Sequence, residues 1–359
     1  MSDGSSDSSS TVKVRVKRVS NYITGQTIAK SRFGEIKQAV HMTNGTKVCM
    51  KIIEKAKFES IDFKLLVRKL QVLKLVQHPS IVKVIDIIDT PRHIYVISEF
   101  IDGNDLFTCL MRQKQFSIPQ VFAQITSAIQ YAHSRKIAHR DLKLESILLD
   151  NQNNVKIVDF GLGQVLERDF SIVSPNYAAP ELLNSKRIKH DRCDFWALGV
   201  VFYAILNGVL PFCGDDSESV LNLVLTQKIE PVKDIPEMAN ECVLGLLNRD
   251  ASKRWGIKQL QASEYIVDQY KKPVEPNVSE IIDFRIVYTM ISQVPEWNAV
   301  KVIKMLNGNK FNHVTATYYL LSERRDEKMK QWDFNEQKQF AQALGINLTE
   351  DGDIEIIED

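Results

Sequence analysis

Alternation of apolar and polar positions dominates the first hundred residues and gives way to helical spacing afterwards. The runs TIAKSRFGEIKQAV and TKVCMKIIEK alternate in the manner of paired strands, and Asn44-Gly45 between them is a hairpin signal. From Phe58 to Val76 the period changes: Leu65, Leu66, Leu70, Leu73 and Val76 recur at helical spacing and predict one amphipathic helix. Two further strand-like runs, IVKVIDIID and HIYVISEF, complete a small β-rich region that ends at about residue 101. After Asp102-Gly103-Asn104 the chain reads as mainly helical to about Tyr270, interrupted by short strands.

Lys271 to Pro276 (KKPVEP) has the composition of a linker, placed over 269–279. Three short amphipathic helices follow, Glu280 to Met290, Trp297 to Leu306 and Phe311 to Leu321, parted by Pro295 and by Asn307-Gly308-Asn309. They predict a small three-helix bundle over 280–325. A further amphipathic helix is expected over 326–345, regular from Lys328 to Leu344, with Gly345 as its C-terminal cap. The acidic tail, 346–359, is expected to be loose. The Ser/Asp-rich residues 1–12 cannot bury enough apolar surface to offset their ordering entropy and are expected to be disordered.

Composition narrows the class. With 44% hydrophobic and 25% charged residues, the 359-residue chain is that of an ordinary globular protein with ample length for a core. A net charge of +1 argues against general nucleic-acid binding; the basic run VKVRVKR, Val12 to Arg18, reads as a solvated edge strand. Cys49, Cys109, Cys193, Cys213 and Cys242 are scattered and form no C-x-x-C pair, which argues against disulfides and zinc and for a reducing compartment. The longest apolar run, Phe195 to Leu206, is too short to cross a bilayer, and the first residues lack the apolar core of a secretion signal. An intracellular location, cytoplasmic or nuclear, follows as the expectation, with no membrane partner.

Candidate chemistry sits in the middle of the chain. His139, Arg140 and Asp141 open the string HRDLKLESILLD, and VDFGLG follows with Asp159, Phe160 and Gly161. Together with HPSIVKV, SPNYAAPELL, CDFWALGVVFYAILNGVLPF and DASKRW, in that chain order, these motifs cover most of residues 22 to about 268. This region resembles the catalytic domain of the calmodulin-dependent group of Ser/Thr protein kinases, and within it the AMP-activated-kinase-like branch. The resemblance implies an α+β, two-lobed protein-kinase fold over 13–268. A small β-rich lobe with one main helix would run to about 101, a large mainly helical lobe from about 102, and the three-helix bundle would follow. ATP, Mg²⁺ or Mn²⁺, and a protein substrate are the implied partners.

Phosphoryl transfer is mostly positioning and charge neutralisation, so such a site needs a carboxylate for the hydroxyl proton, cations for the phosphates and oxygen ligands for the metal. By resemblance Asp141 takes the first role, with Lys143 steadying the transferred group; Asp159 and Ser146 stand at the metal positions. The implied ATP pocket comprises Ile28, Gly34, Ile36, Cys49, Lys51, Glu99, Ile101, Asp105 and Leu148. Within it Lys51 matches the lysine that grips the α and β phosphates, Glu99 to Ile101 the hinge with Ser98 as a small gatekeeper, and Asp105 a ribose contact. Asp105 and Glu145 read equally as plain surface acids. Glu181 with Arg254, and His139, Phe160, Leu73 and Asp194, resemble scaffold.

Several positions depart from the family pattern. The phosphate loop reads Ala29-Lys30-Ser31-Arg32-Phe33-Gly34, so only Gly34 survives of three glycines and close backbone approach to phosphate is hampered. Lys69 occupies the slot of the helix glutamate that pairs with the strand lysine; two like charges at about 4 Å would cost about 4 kcal/mol at an effective dielectric near 20. Ser146 replaces a metal-binding Asn and lacks its reach. Phe170 stands where the branch carries its phosphorylated Thr, leaving Asp169 either as a permanent negative partner for Arg140 or as a solvated loop acid; Ser171 remains a phosphosite candidate and Ser174 fits the substrate-facing position.

Asn309 to Leu321 (NKFNHVTATYYLL) resembles the last helix of the ubiquitin-associated-like domain of AMP-activated-kinase relatives. Such a bundle either binds ubiquitin or another regulatory protein, or braces the catalytic domain. Two functions therefore compete. One is an ATP-dependent Ser/Thr kinase of weakened or atypical activity, favoured by Lys51, Asp141 and Asp159; the other is a pseudokinase scaffold, favoured by Lys69, Ser146, Ala29, Ser31 and Phe170. A small-molecule kinase stands third, because SPNYAAPE implies a peptide shelf by resemblance.

Overall fold

A computed structural model describes residues 17–31, 34–57, 63–160, 174–184, 190–273, 282–294, 296–308, 311–323, 333–349 and 354–356. The chain divides into two compact units, one comprising residues 1–61 with 85–100 and the other 62–84 with 101–359. The phosphate-loop residues Arg32 and Phe33, the side chains of Ser31 and Lys69, and Asp169, Phe170 and Ser171 lie outside what is described.

The first unit is a six-stranded sheet in the order β1-β2-β3-β4-β6-β5. Its strands are β1 (Arg18–Val19), β2 (Tyr22–Ser31), β3 (Gly34–His41), β4 (Lys47–Glu54), β5 (Val84–Asp89) and β6 (His93–Glu99). The predicted Asn44-Gly45 hairpin joins β3 to β4: Gly45 adopts φ +68°, and its N–H donates to the His41 carbonyl at 2.9 Å. Alternation puts Ala39, Val48, Met50, Ile52, Tyr95 and Ile97 into one core with Val19 and Tyr22. The β2–β3 pairing slips twice, between Thr24 and Thr27 and between Thr27 and Ala29, before Ser31 closes opposite Gly34.

Gly34 has a packing reason beyond any ligand. A Cβ there would stand 2.1 Å from the Ile52 carbonyl oxygen, and φ is +150°. Any larger residue would force β3 away from β4.

The second unit begins with α1 (Phe63–Leu73), the helix predicted from the leucine spacing. Leu66 and Leu70 are buried, and Val72 joins the unit's main core. Expected with the small β-rich part, this helix instead belongs to the same compact unit as the remainder of the chain. A three-stranded sheet follows, with β7 (Gly103–Asp105), β8 (Ile147–Asp150) and β9 (Val155–Ile157) in antiparallel order. Helix α2 (Leu106–Met111) starts at β7, and α3 (Ile118–Ser134) is capped by Ser117, whose hydroxyl accepts the Gln120 N–H, with Pro119 in its first turn. The short α4 (Pro180–Asn184) leads to α5 (His190–Asn207), apolar nearly all round and buried accordingly. Phe122 of α3 stacks on Phe202 of α5 at 3.8 Å. Around this pair pack α6 (Ser217–Thr226), α7 (Glu237–Leu246) and α8 (Ile257–Ala262).

The C-terminal helices overlap the stretches that periodicity predicts but start later: α9 (Phe284–Gln293), α10 (Ala299–Asn307), α11 (His313–Glu323) and α12 (Phe334–Ala343). Caps set their starts. Asp283, Asn298, Asn312 and Asp333 each accept backbone N–H groups of the following turn. The bundle is larger than three helices. Phe284, Val287, Met290, Val302, Val314 and Tyr318 share a core with Ala341 of α12 and with Ile346 and Leu348. In place of a loose tail, β10 (Ile346–Leu348) pairs antiparallel with β11 (Ile354–Ile356), because the alternating Ile346, Leu348 and Ile354 have apolar surface to bury. Gln337 is fully buried and binds both ways: its oxygen accepts the Phe284 N–H at 2.7 Å, and its amide donates to Asp283 at 3.2 Å.

Helix α11 serves two cores. Val314 and Tyr318 face the bundle, whereas Ala316 and Leu320 belong to the core around α3 and α5. Next to them the fully buried Arg135 donates to both carboxylate oxygens of Glu323, at 2.8 and 2.6 Å. Among the described residues no helix is long and apolar enough to cross a membrane.

Candidate active site

Asp194, near the start of α5, organises the site. It is 1% exposed, and its two oxygens serve three nitrogens: Oδ2 lies 2.7 Å from both the His139 backbone N and His133 Nε2, and Oδ1 accepts the Arg140 N–H at 2.7 Å. Burial alone would push this carboxyl upward, but His133, His139 and the Arg140 N–H reverse the balance and hold it below the ordinary carboxylate value. The anchoring has a backbone consequence. Arg140 adopts φ +68°, a conformation a non-glycine residue holds only when its surroundings over-determine it.

The His139 ring continues the frame. Its Nδ1 accepts the Asp141 N–H at 3.3 Å, its Nε2 lies 3.1 Å from the Val158 carbonyl, and its ring makes a T-shaped contact with Phe160, centroids 4.8 Å apart. The Val158 N–H in turn donates to the Ser146 carbonyl at 2.9 Å. Asp141, Lys143, Ser146 and Asp159 thus hang on one hydrogen-bonded backbone frame, and Asp159 itself takes the left-handed φ of +59°.

Three side chains close a triangle on this frame. Lys143 Nζ donates to Asp141 Oδ2 at 2.9 Å and to Ser174 Oγ at 3.2 Å, and the Ser174 hydroxyl donates to Asp141 Oδ1 at 3.3 Å. Both ends of the ion pair remain partly exposed, at 27% and 29% of their side-chain surface. Chemically this is a carboxylate that can take a proton, beside a fixed cation and a hydroxyl from a neighbouring segment.

Ser146 is engaged differently. Its hydroxyl accepts the Lys143 N–H at 3.0 Å and donates to the Lys143 carbonyl at 2.8 Å, and the residue is 4% exposed. Asp105 caps α2: its two oxygens accept the Thr108 N–H and hydroxyl, each at 2.8 Å. Leu148 faces Asp105 across the β7–β8 ladder.

The segment after Ser174 is tied down by Glu181. This carboxylate takes a two-pronged hydrogen bond from the fully buried Arg254, at 2.6 and 2.8 Å, and Arg254 also donates to the carbonyls of Arg192 and Asn248. The nearby Cys193 thiol is pushed up by burial and then by Glu181, so it is inert. Burial lowers Arg140 to about 10, Asp194 opposing the shift, and its Nη2 donates to the Phe311 carbonyl at 3.3 Å.

In the first unit, Lys51 is 7% exposed on β4, with Ile36 and Val96 as its cross-strand neighbours. Cys49 faces Ser98 across β4 and β6, Glu99 ends β6, and Ile28 is half exposed on β2. Ile101 follows β6 in the chain and belongs to the second unit. The second unit thus brings Asp141, Lys143, Ser146 and Asp159 together, while Gly34, Ile36, Cys49 and Lys51 share one sheet. Sequence reasoning missed His133, Arg135, Glu323 and Gln337. Apart from local ones, their partners lie 53 to 188 residues away, so no local pattern marks them.

This fold and frame define the class. Residues 22–266 match the protein kinase domain, and the chain belongs to that family, with a β-rich N-terminal lobe and a helical C-terminal lobe. Among characterised proteins it is similar to the serine/threonine-protein kinase SIK3 homolog of Danio rerio, 31% identical over 331 residues, which are 86% of this chain and 27% of that protein. It is also similar to the SNF1-related protein kinase catalytic subunit alpha KIN12 of Arabidopsis thaliana, 29% identical over 348 residues, 90% of this chain and 68% of that protein. The chain therefore spans less than a third of the first relative's length and about two thirds of the second's.

Proposed function

We propose that the chain is an ATP-dependent Ser/Thr protein kinase of reduced activity. The observation that carries this reading is the triangle of Asp141, Lys143 and Ser174. Asp141 accepts the proton of the substrate hydroxyl as its oxygen bonds to the γ-phosphorus and the bond to the departing ADP breaks. Lys143 neutralises the transferred phosphoryl group, and Lys51 holds the α and β phosphates. By the family resemblance, Ile28, Ile36, Cys49 and Glu99 of the first unit take part in nucleotide binding, as do Ile101, Asp105 and Leu148 of the second. Asp159 is a hard oxygen donor of the kind Mg²⁺ or Mn²⁺ prefers, and such an ion, when bound, supplies charge neutralisation across the terminal phosphates.

Activity is reduced because, by the resemblance, Lys69 stands in the slot of a glutamate and the glycine loop keeps only Gly34. The ubiquitin-associated-like bundle acts as a brace for the catalytic domain, a role supported by the two-faced α11 and the Arg135–Glu323 pair. Regulatory proteins would reach the enzyme through this bundle, and the intracellular location follows from the cysteine usage. The competing pseudokinase reading is favoured by one observation, the commitment of the Ser146 hydroxyl to the Lys143 backbone.

Phosphotransfer from labelled ATP by the purified chain separates the two. Asp141→Asn should lower the signal by about 10²-fold or more, the share usual for a general base. Equal signal in both proteins would end the kinase reading. A thermal shift on adding ATP with Mg²⁺ or Mn²⁺ reads nucleotide binding independently.

A further inference from the structure

We propose that this site holds its nucleoside triphosphate with one divalent cation instead of two, because Ser146 has left the metal and become the cap of the catalytic loop. The inference rests on the kinase reading above, in which the family's second ion would be held from the position of Ser146.

The hydroxyl chemistry leads there. A serine has one proton to donate, and Ser146 gives it to the Lys143 carbonyl at 2.8 Å. It also accepts the Lys143 N–H at 3.0 Å. These two bonds leave one lone pair, so the most Ser146 offers a hard cation is a single neutral donor on an oxygen already held against the Lys143 backbone; swinging it further out would strand a partly buried N–H. Asn carries its oxygen one bond further from the backbone, whereas Ser146 is 4% exposed and its oxygen sits close against the loop it caps.

The same cap supports the ligand that remains. The Ser146 carbonyl accepts the Val158 N–H at 2.9 Å, immediately before Asp159. Lys143, whose backbone is capped, keeps its ammonium 2.9 Å from Asp141. Lys143 supplies a fixed positive charge beside Asp141, which partly offsets the loss of a second dication. The ligand class is therefore a nucleotide carrying one divalent ion, Asp159 being its protein carboxylate.

The test counts ions on the intact chain. Protein at saturating non-hydrolysable ATP analogue is titrated with Mn²⁺, free Mn²⁺ being read by electron paramagnetic resonance and bound nucleotide by equilibrium dialysis. One bound Mn²⁺ per complex is expected in the unaltered protein, and two in Ser146→Asn. Two ions in the unaltered protein would overturn this inference alone; no bound nucleotide would overturn it together with the kinase reading. Ser146→Asn remaining at one ion would remove Ser146 as the cause. Ser146→Ala should keep the count at one and lower the unfolding midpoint by several degrees, and an unchanged midpoint would contradict the capping role.

Discussion

Replacing Asp194 by Asn tests whether one buried carboxylate shapes the catalytic loop. The exchange preserves volume and removes only charge and acceptor capacity. Three nitrogens converge on the carboxylate at 2.7 Å, two on Oδ2 and one on Oδ1. An amide has a single oxygen. Oriented to keep His133 and the His139 N–H, it points an N–H₂ group at the Arg140 N–H; flipped, it loses the other two. At minimum one charge-assisted bond disappears, worth about 1.5–3 kcal/mol, and one buried N–H is left unsatisfied at about 1–3 kcal/mol. The expected loss is about 3–5 kcal/mol, a large part of the ~5–15 kcal/mol that stabilises a typical protein. Urea unfolding should show the midpoint falling by about 1 M or more. Acid unfolding should change too. The native carboxyl lies below its ordinary value of 3.8, so its stabilisation is complete above that pH and is lost as pH falls through the lowered native value. Asp194→Asn should lack that part of the acid limb. Phosphotransfer should fall by about 10²-fold, since a shift of the loop by about 1 Å costs that much. A stability change below about 1 kcal/mol with phosphotransfer retained would refute the frame described for this loop.

Glu181→Ala leaves the fully buried Arg254 without its carboxylate and should destabilise by about 3–5 kcal/mol, read by urea unfolding; a loss under about 1 kcal/mol would contradict the pair's structural role. Gly34→Ala should cost at least about 2 kcal/mol even without nucleotide, because its Cβ meets the Ile52 carbonyl, and an unchanged melting temperature would refute that contact. Burial, with Arg135 and Lys156 adding, lowers His78 to about 4 from its ordinary 6.5. The unfolded chain therefore binds the extra proton first, and stability should decline by up to about 3 kcal/mol as pH falls from about 6.5 to 4. His78→Gln should flatten that slope, and an identical slope would rule out His78 as its source.

Legibility followed the range of the interaction. The Asn44-Gly45 hairpin, α1 and the helices from α9 to α12 could be read from spacing, because hairpin signals, caps and amphipathic periods are local. The order of motifs around Asp141 and Asp159 pointed to the family for the same reason. What escaped was long-range. Gln337 caps α9 from 53 residues away, and Arg135 meets Glu323 across 188. The terminal hairpin was hidden by composition: its acids outweighed the alternation of Ile346, Leu348 and Ile354 in a reading by charge. Ser146 was read for what its side chain could offer a metal, and a serine's preference for its own backbone was the competing principle.

That contrast decides how far the retained motifs speak for catalysis. Asp194, His139 and the Glu181–Arg254 pair are buried and multiply bonded, so folding alone would require them, and a scaffold protein would need them as much as an enzyme. The Asp141–Lys143 pair is different. With both partners more than a quarter exposed, such a pair is worth about 0–1 kcal/mol, and the fold would stand without it. Yet Lys143 bridges Asp141 and Ser174, and Ser174 in turn donates to the second Asp141 oxygen. Geometry that stability does not demand is better accounted for by the phosphoryl group that Asp141 and Lys143 would handle, which is why the kinase reading leans on those residues and not on the larger buried frame.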